Sequence, residues 1–194
     1  RWLGRRVGRC QPSRRWTFEA FGSTRHRARE AVSDAERSAL YAAELAAFDG
    51  TDLEVVRQFH QVRALIDAVV ADSWWPRGGV DVRAARSDAH SSSTRCTASG
   101  GGLGVIRLAR SQTTIATAAH ELAHVLAGPA NGHGALYRRA YLDVVRVMTN
   151  IDSTDRRLDL HVNQLTDAFS AAGLDVGVRH WPAPPAGTGR AFAL

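Results

Sequence analysis

The chain contains no lysine, a single methionine (Met148) and two cysteines, Cys10 and Cys96. Two cysteines so far apart exclude a disulfide framework and a paired-cysteine metal knuckle. Free thiols point to a reducing compartment, so a cytoplasmic location is expected. Also missing is any run of about 18–20 consecutive apolar residues of the kind that spans a bilayer. The longest candidate, 115–130, is interrupted by His120, Glu121 and His124, and no membrane partner is expected. No apolar segment stands behind the N-terminal arginines, so no secretory leader is expected either. With Arg1 first and Met148 the sole methionine, the chain reads as a fragment, a processed product or an extended reading frame.

What is present is ordinary for a globular domain. Of 194 residues, 44% are hydrophobic and 23% charged, which excludes wholesale disorder, collagen and coiled coil. The length suits one domain. The net charge of +6 is uneven. Residues 1–30 hold nine arginines against Glu19 and Glu30, a net of +7, while the remaining 164 residues carry −1. The high isoelectric point therefore belongs to an N-terminal arm. Arginine binds phosphate bidentately, so the arm offers a nucleic-acid contact. The alternative is a coding bias that supplies arginine for every cation.

Patterning divides the chain into a basic arm (1–30) without clear period, a folded domain (31–174) and an extended, proline-containing tail (175–194). Ser33-Asp34-Ala35-Glu36 forms a capping box, with Tyr41, Leu45 and Phe48 following at helical spacing. Thr51-Asp52-Leu53-Glu54 forms a second, ahead of a stripe of Val55, Phe59, Val62, Ile66 and Val69. Strands are predicted at 80–84 and 104–109, joined by a Ser/Gly-rich connection. Helices are predicted over about 115–127, 135–149 and 155–172. Ser111 to Thr114 offer caps for the first of these, and Gly128 and Pro129 end it. The order of helices, small sheet and helices implies an α+β domain.

The chemistry is concentrated in His120-Glu121-Leu122-Ala123-His124. On a helix, positions i and i+4 share a face, so two imidazoles can hold one ion. Glu121 lies beside them, within reach of a water on that ion, while Ala118, Leu122 and Val125 point into the core. This is the HExxH zinc-hydrolase pattern. Zinc lowers the pKa of its bound water to about 7, and the glutamate takes the proton.

A catalytic zinc ordinarily has three protein ligands. No glutamate follows Glu121, and Ala127 and Ala130 stand where the extended HExxHxxGxxH pattern needs glycine and histidine. His133, His161, His180 or an aspartate remain. His133 is best placed: it follows the Gly128-Pro129 turn, and Gly132 and Gly134 let the chain fold back toward the metal. His161 sits at the edge of an apolar stripe. His26, His60, His90 and His180 read as ordinary surface or packing residues.

HELAH, a glycine turn and then His133-Gly134-Ala135-Leu136-Tyr137 resemble the SprT-like zinc metalloproteases. Their third ligand is the histidine of a His-Gly-x-x-aromatic element opening the next helix. The chain is still more similar to a family of actinobacterial metallohydrolases of unassigned substrate. The matching features are 34–38 with Tyr41-Ala42-Ala43-Glu44, the strand at 104–109, residues 117–126, and His133-Gly134 with Tyr141. The resemblance covers about 33–174. It implies a single zincin-like domain, with a small sheet flanked by helices and the metal-binding helix after an edge strand. It also implies one Zn²⁺ per chain on His120, His124 and His133, with a protein or peptide substrate.

Two further expectations follow. Gly104, Val105, Ile106, Arg107 and Leu108 would form an edge that pairs with substrate backbone. Tyr137 or Tyr141 would donate to the oxyanion, although their spacing with Val144 and Met148 also suits a core. The expected function is a zinc metallopeptidase with Glu121 as general base. Alternatives are a nucleic-acid-binding protein with a structural metal, and a regulatory protease with one dedicated partner.

Overall fold

The computed structural model describes residues 23–96, 103–149 and 159–185. Within them lie five α-helices and a three-stranded mixed sheet, an α+β arrangement. The order is α1 (Ser23–Phe48), a 3₁₀ turn (Asp52–Glu54), α2 (Phe59–Ala71), β1 (Val80–Ala84), β2 (Ser93–Cys96) and β3 (Gly104–Leu108). Then follow α3 (Ile115–Ala127), α4 (Ala135–Thr149) and α5 (Leu160–Ala171). No helix among the described residues is long and apolar enough to cross a membrane.

The centre of the fold is α3. Every residue of it except Thr117 and His124 is buried, which is how a helix apolar on nearly all sides must sit. It packs against α4 most extensively and also against α2, β2 and β3. Its start is fixed by Thr114, whose Oγ1 accepts from the Thr117 N–H at 3.0 Å. Its end is fixed by Gly128 at φ +92°, followed by Pro129. The helix lies so close to the sheet that a Cβ on Gly104 would stand 3.0 Å from Val125 Cγ2. A side chain at the start of β3 would therefore need Val125 to shift.

Strand order is β1-β3-β2, with β3 parallel to β1 and antiparallel to β2. Gly104–Leu108 is therefore the central strand, not an edge. Its backbone groups are engaged on both sides and cannot pair with a substrate. The misassignment arises from β2, a polar four-residue strand lying in what reads as a Ser/Gly-rich connection. Ser93, Thr94, Arg95 and Cys96 carry no apolar alternation, so the element that covers one side of β3 leaves no hydrophobic signature.

Other boundaries also shift. No glycine or proline interrupts 23–48, so α1 runs through the Ser33 capping box and across the expected boundary at residue 30. The rest of the basic arm, residues 1–22, lies outside the described residues, and so do Leu158 and the start expected for α5. Among the α1 side chains described, from residue 36 on, the buried ones are Leu40, Ala43, Ala47 and Phe48, while Tyr41 and Leu45 stay exposed. Small alanines let α1 approach the body, turning Tyr41 and Leu45 toward a cleft. Thr51 closes α1, its Oγ1 donating to Phe48 O at 2.6 Å, rather than opening α2. The start of α2 lies at Gln58, whose N–H is capped by Gln61 Oε1 at 3.1 Å, and Val55 is exposed in the linker. The stripe of Val62, Leu65, Ile66 and Val69 is buried.

Residues 174–185 have no regular secondary structure, yet they are fastened to the body. Asp143 on α4, 2% exposed, accepts from Arg179 through both oxygens at 2.5 and 2.7 Å and from Trp181 Nε1 at 2.9 Å. Trp74 Nε1 donates to Pro182 O at 2.8 Å.

Candidate metal centre

The structure brings His120, His124 and His133 together. One ligand atom from each lies within 4.8 Å of the others. The first two come from successive turns of α3. His133 comes from the turn between α3 and α4, where Gly132 adopts φ +46° and ψ −127°, a conformation that favours glycine. The Nε2 atoms of His120 and His133 are 3.4 Å apart. Two ligands of a tetrahedral ion with M–N bonds of 2.0–2.1 Å stand about 3.3 Å apart, so this pair fits such an ion. The three histidines can hold a metal ion.

The surroundings favour that use. His120 Nδ1 lies 2.7 Å from Glu44 Oε1 on α1. With the carboxylate ionised, Nδ1 carries the proton and Nε2 presents its lone pair to the cluster. Burial alone would lower the His120 pKa, but the charge and hydrogen bond of Glu44, with the charge of Glu121, leave it raised. His124 is pushed down to about 3 by burial and by the charges of His120 and His133. His133 is pushed down to about 4 by burial and by the charges of His120, Arg37 and Arg138. Both are therefore neutral near pH 7, as ligands must be.

Glu121 lines the same cavity of about 290 Å³ as all three histidines, with Tyr41, Ser92, Ser93, Thr94 and Cys96. Thr94 Oγ1 donates to Glu121 Oε2 at 2.6 Å, anchoring the carboxylate to β2. Burial raises the Glu121 pKa, against the opposing effects of the Thr94 hydrogen bond and the charge of His120. A second cavity of about 440 Å³ shares Tyr41, Ser92, His120 and Glu121 with the first and extends past Glu44, Leu45 and Val56.

Tyr137 lines neither of these two cavities, whereas Tyr141 borders the larger one. Both are fully buried beneath α3, with hydroxyls directed to the carbonyls of His120 at 3.3 Å and Ala116 at 3.5 Å. They support α3 from below, through its backbone. Their helical spacing with Val144 and Met148, both buried, suits a core. His161 lies elsewhere, with its Nδ1 3.0 Å from Gln164 Oε1 and its Nε2 3.5 Å from Asp52.

Sequence reasoning assigned no role to Glu44, Thr94 or Tyr41. Tyr41 is half exposed, its ring centroid 5.7 Å from that of His120 and 5.6 Å from that of His133. A signal for two of them existed: Tyr41 and Glu44 are three apart on one helix and share a face. No known family model matches the chain, and neither curated proteins nor solved structures give a significant match.

Proposed function

We propose that this chain is a zinc-dependent hydrolase, a metallopeptidase with zincin-like architecture. The observation that carries the reading is the convergence of His120, His124 and His133 on one cavity that Glu121 also lines. Three imidazoles suit Zn²⁺. When bound, the ion supplies a water acidified to a pKa of about 7 and a Lewis acid for the scissile carbonyl.

The remaining work falls to the chain's own groups. Glu121, held by Thr94, takes a proton from the attacking water and returns it to the leaving amine; its raised pKa suits a base that must later act as an acid. Glu44 orients His120. Tyr41, exposed at the cavity, offers its phenol to the oxyanion. Peptide substrate lies along β2, an edge strand whose Ser93, Thr94 and Cys96 line the metal cavity.

The test combines metal content with hydrolysis of a mixed library of fluorogenic peptides. The reading predicts zinc in the parent protein and cleavage abolished both by a chelator and by Glu121→Gln. Zinc binding with no cleavage in the library or in denatured protein, or cleavage unaffected by Glu121→Gln, contradicts it.

A further inference from the structure

Of the three donors, His120 and His124 are carried by α3, and Glu44 fixes the first of them. His133 sits in a turn between two glycines, which have no side chain with which to hold it in place. Its position is secured through its backbone. Arg138, on α4 and 4% exposed, donates from Nη1 to His133 O at 2.8 Å. The same guanidinium donates from Nε to Asp175 O at 2.6 Å. Glu36 Oε2 of α1 lies 3.8 Å from Nη1.

Asp175 belongs to the 174–185 segment, and that segment runs directly against the turn that follows His133. The Gly177 N–H donates to Ala135 O at 2.8 Å. A Cβ on Gly177 would stand 3.0 Å from the backbone of Ala135 and Leu136. The strap therefore touches α4 at its first residues, two positions beyond His133, and is locked farther on by Asp143.

We propose that the 174–185 segment is a brace for the metal centre and that Arg138 is a positioning residue, transmitting the brace to His133. The inference rests on the metal-site reading above. The planar guanidinium has a fixed fork of donors, so one side chain can hold two carbonyls at a set separation. Because Arg138 is buried, losing either bond leaves a polar group unsatisfied, and the arrangement is stiff. A donor that α3 does not carry is thereby placed within 3.4 Å of His120 Nε2. Without the brace the turn retains its glycine freedom, and the ion meets a third donor that must be ordered on binding.

Zn²⁺ affinity of the full chain, measured by competition with a chromophoric chelator, tests this directly. The variants are Arg138→Gln and Gly177→Val, each with and without His133→Ala, at a temperature where circular dichroism shows them folded. Removing an outer partner of a ligand typically weakens metal binding 10–100-fold, and that loss is expected for both. The visible absorption of bound Co²⁺ should change with it. Neither variant should weaken binding further once His133 is alanine, since their effect passes through that residue. A merely structural role for Arg138 would lower the melting temperature but leave the folded-state affinity unchanged, and that result overturns the proposal. So does a loss additive with His133→Ala. Should Arg138→Gln not fold, Gly177→Val decides alone. A parent chain that binds no Zn²⁺ refutes the metal site and the brace together; a parent that binds, with both variants unaffected, refutes only the brace.

Discussion

Glu44 accepts a hydrogen bond from His120 Nδ1 at 2.7 Å across 76 residues of sequence, tying α1 to α3. A carboxylate behind a ligating imidazole fixes the ring and its tautomer and raises its basicity. Glu44→Gln should therefore weaken Zn²⁺ affinity about 10–100-fold while the helical circular dichroism stays that of the parent. Chelator competition measures the affinity; an unchanged value would show that His120 needs no such partner.

Glu121→Gln is nearly isosteric and keeps the Thr94 contact as an acceptor, but it cannot take a proton. Zinc content and fold should be retained, and the hydrolysis rate should fall about 10²–10⁴-fold, the usual range for loss of a general base. Steady-state rates on a peptide cleaved by the parent give the answer.

Tyr41→Phe separates oxyanion stabilisation from metal binding. The phenyl ring retains its packing against His120 and His133, so zinc affinity should hold. Turnover should fall by roughly 10²-fold or more, as it does when one oxyanion donor is removed. A loss confined to KM would place Tyr41 in substrate binding instead.

Gly104→Ala tests the contact between helix and sheet. The added methyl meets Val125 Cγ2 at 3.0 Å, and overpacking of this kind costs about 1–3 kcal/mol. Urea denaturation should show the loss. The double variant Gly104→Ala with Val125→Ala should be less destabilised than the two single losses added together, because the second change removes the colliding group. Simple additivity would show that the close approach is not what restricts this position.

Local patterns made much of the site legible. His120 and His124 follow from the i, i+4 spacing, and His133 from the glycines that flank it. The ends of α3 follow from the capping residues at 111–114, of which Thr114 caps the helix, and from Gly128. What depends on distant pairings was not legible. Glu44 meets His120 only once α1 has docked, and Thr94 meets Glu121 only once a polar strand without apolar alternation has joined the sheet. The same strand makes β3 central, so the expectation of an edge at Gly104–Leu108 fails with it. In α1, Leu45 looked like core because leucine at helical spacing ordinarily is. The helix instead buries Leu40, Ala43, Ala47 and Phe48 and leaves Tyr41 and Leu45 facing a cavity.

The central claim is that His120, His124 and His133 form one zinc site. The most direct measurement is the zinc bound per chain by elemental analysis after purification and dialysis, for the parent, His133→Ala and His161→Ala. The account predicts one zinc per chain in the parent and in His161→Ala, with most of it lost from His133→Ala. Zinc retained by His133→Ala but stripped from His161→Ala would contradict it, as would a parent chain that holds none.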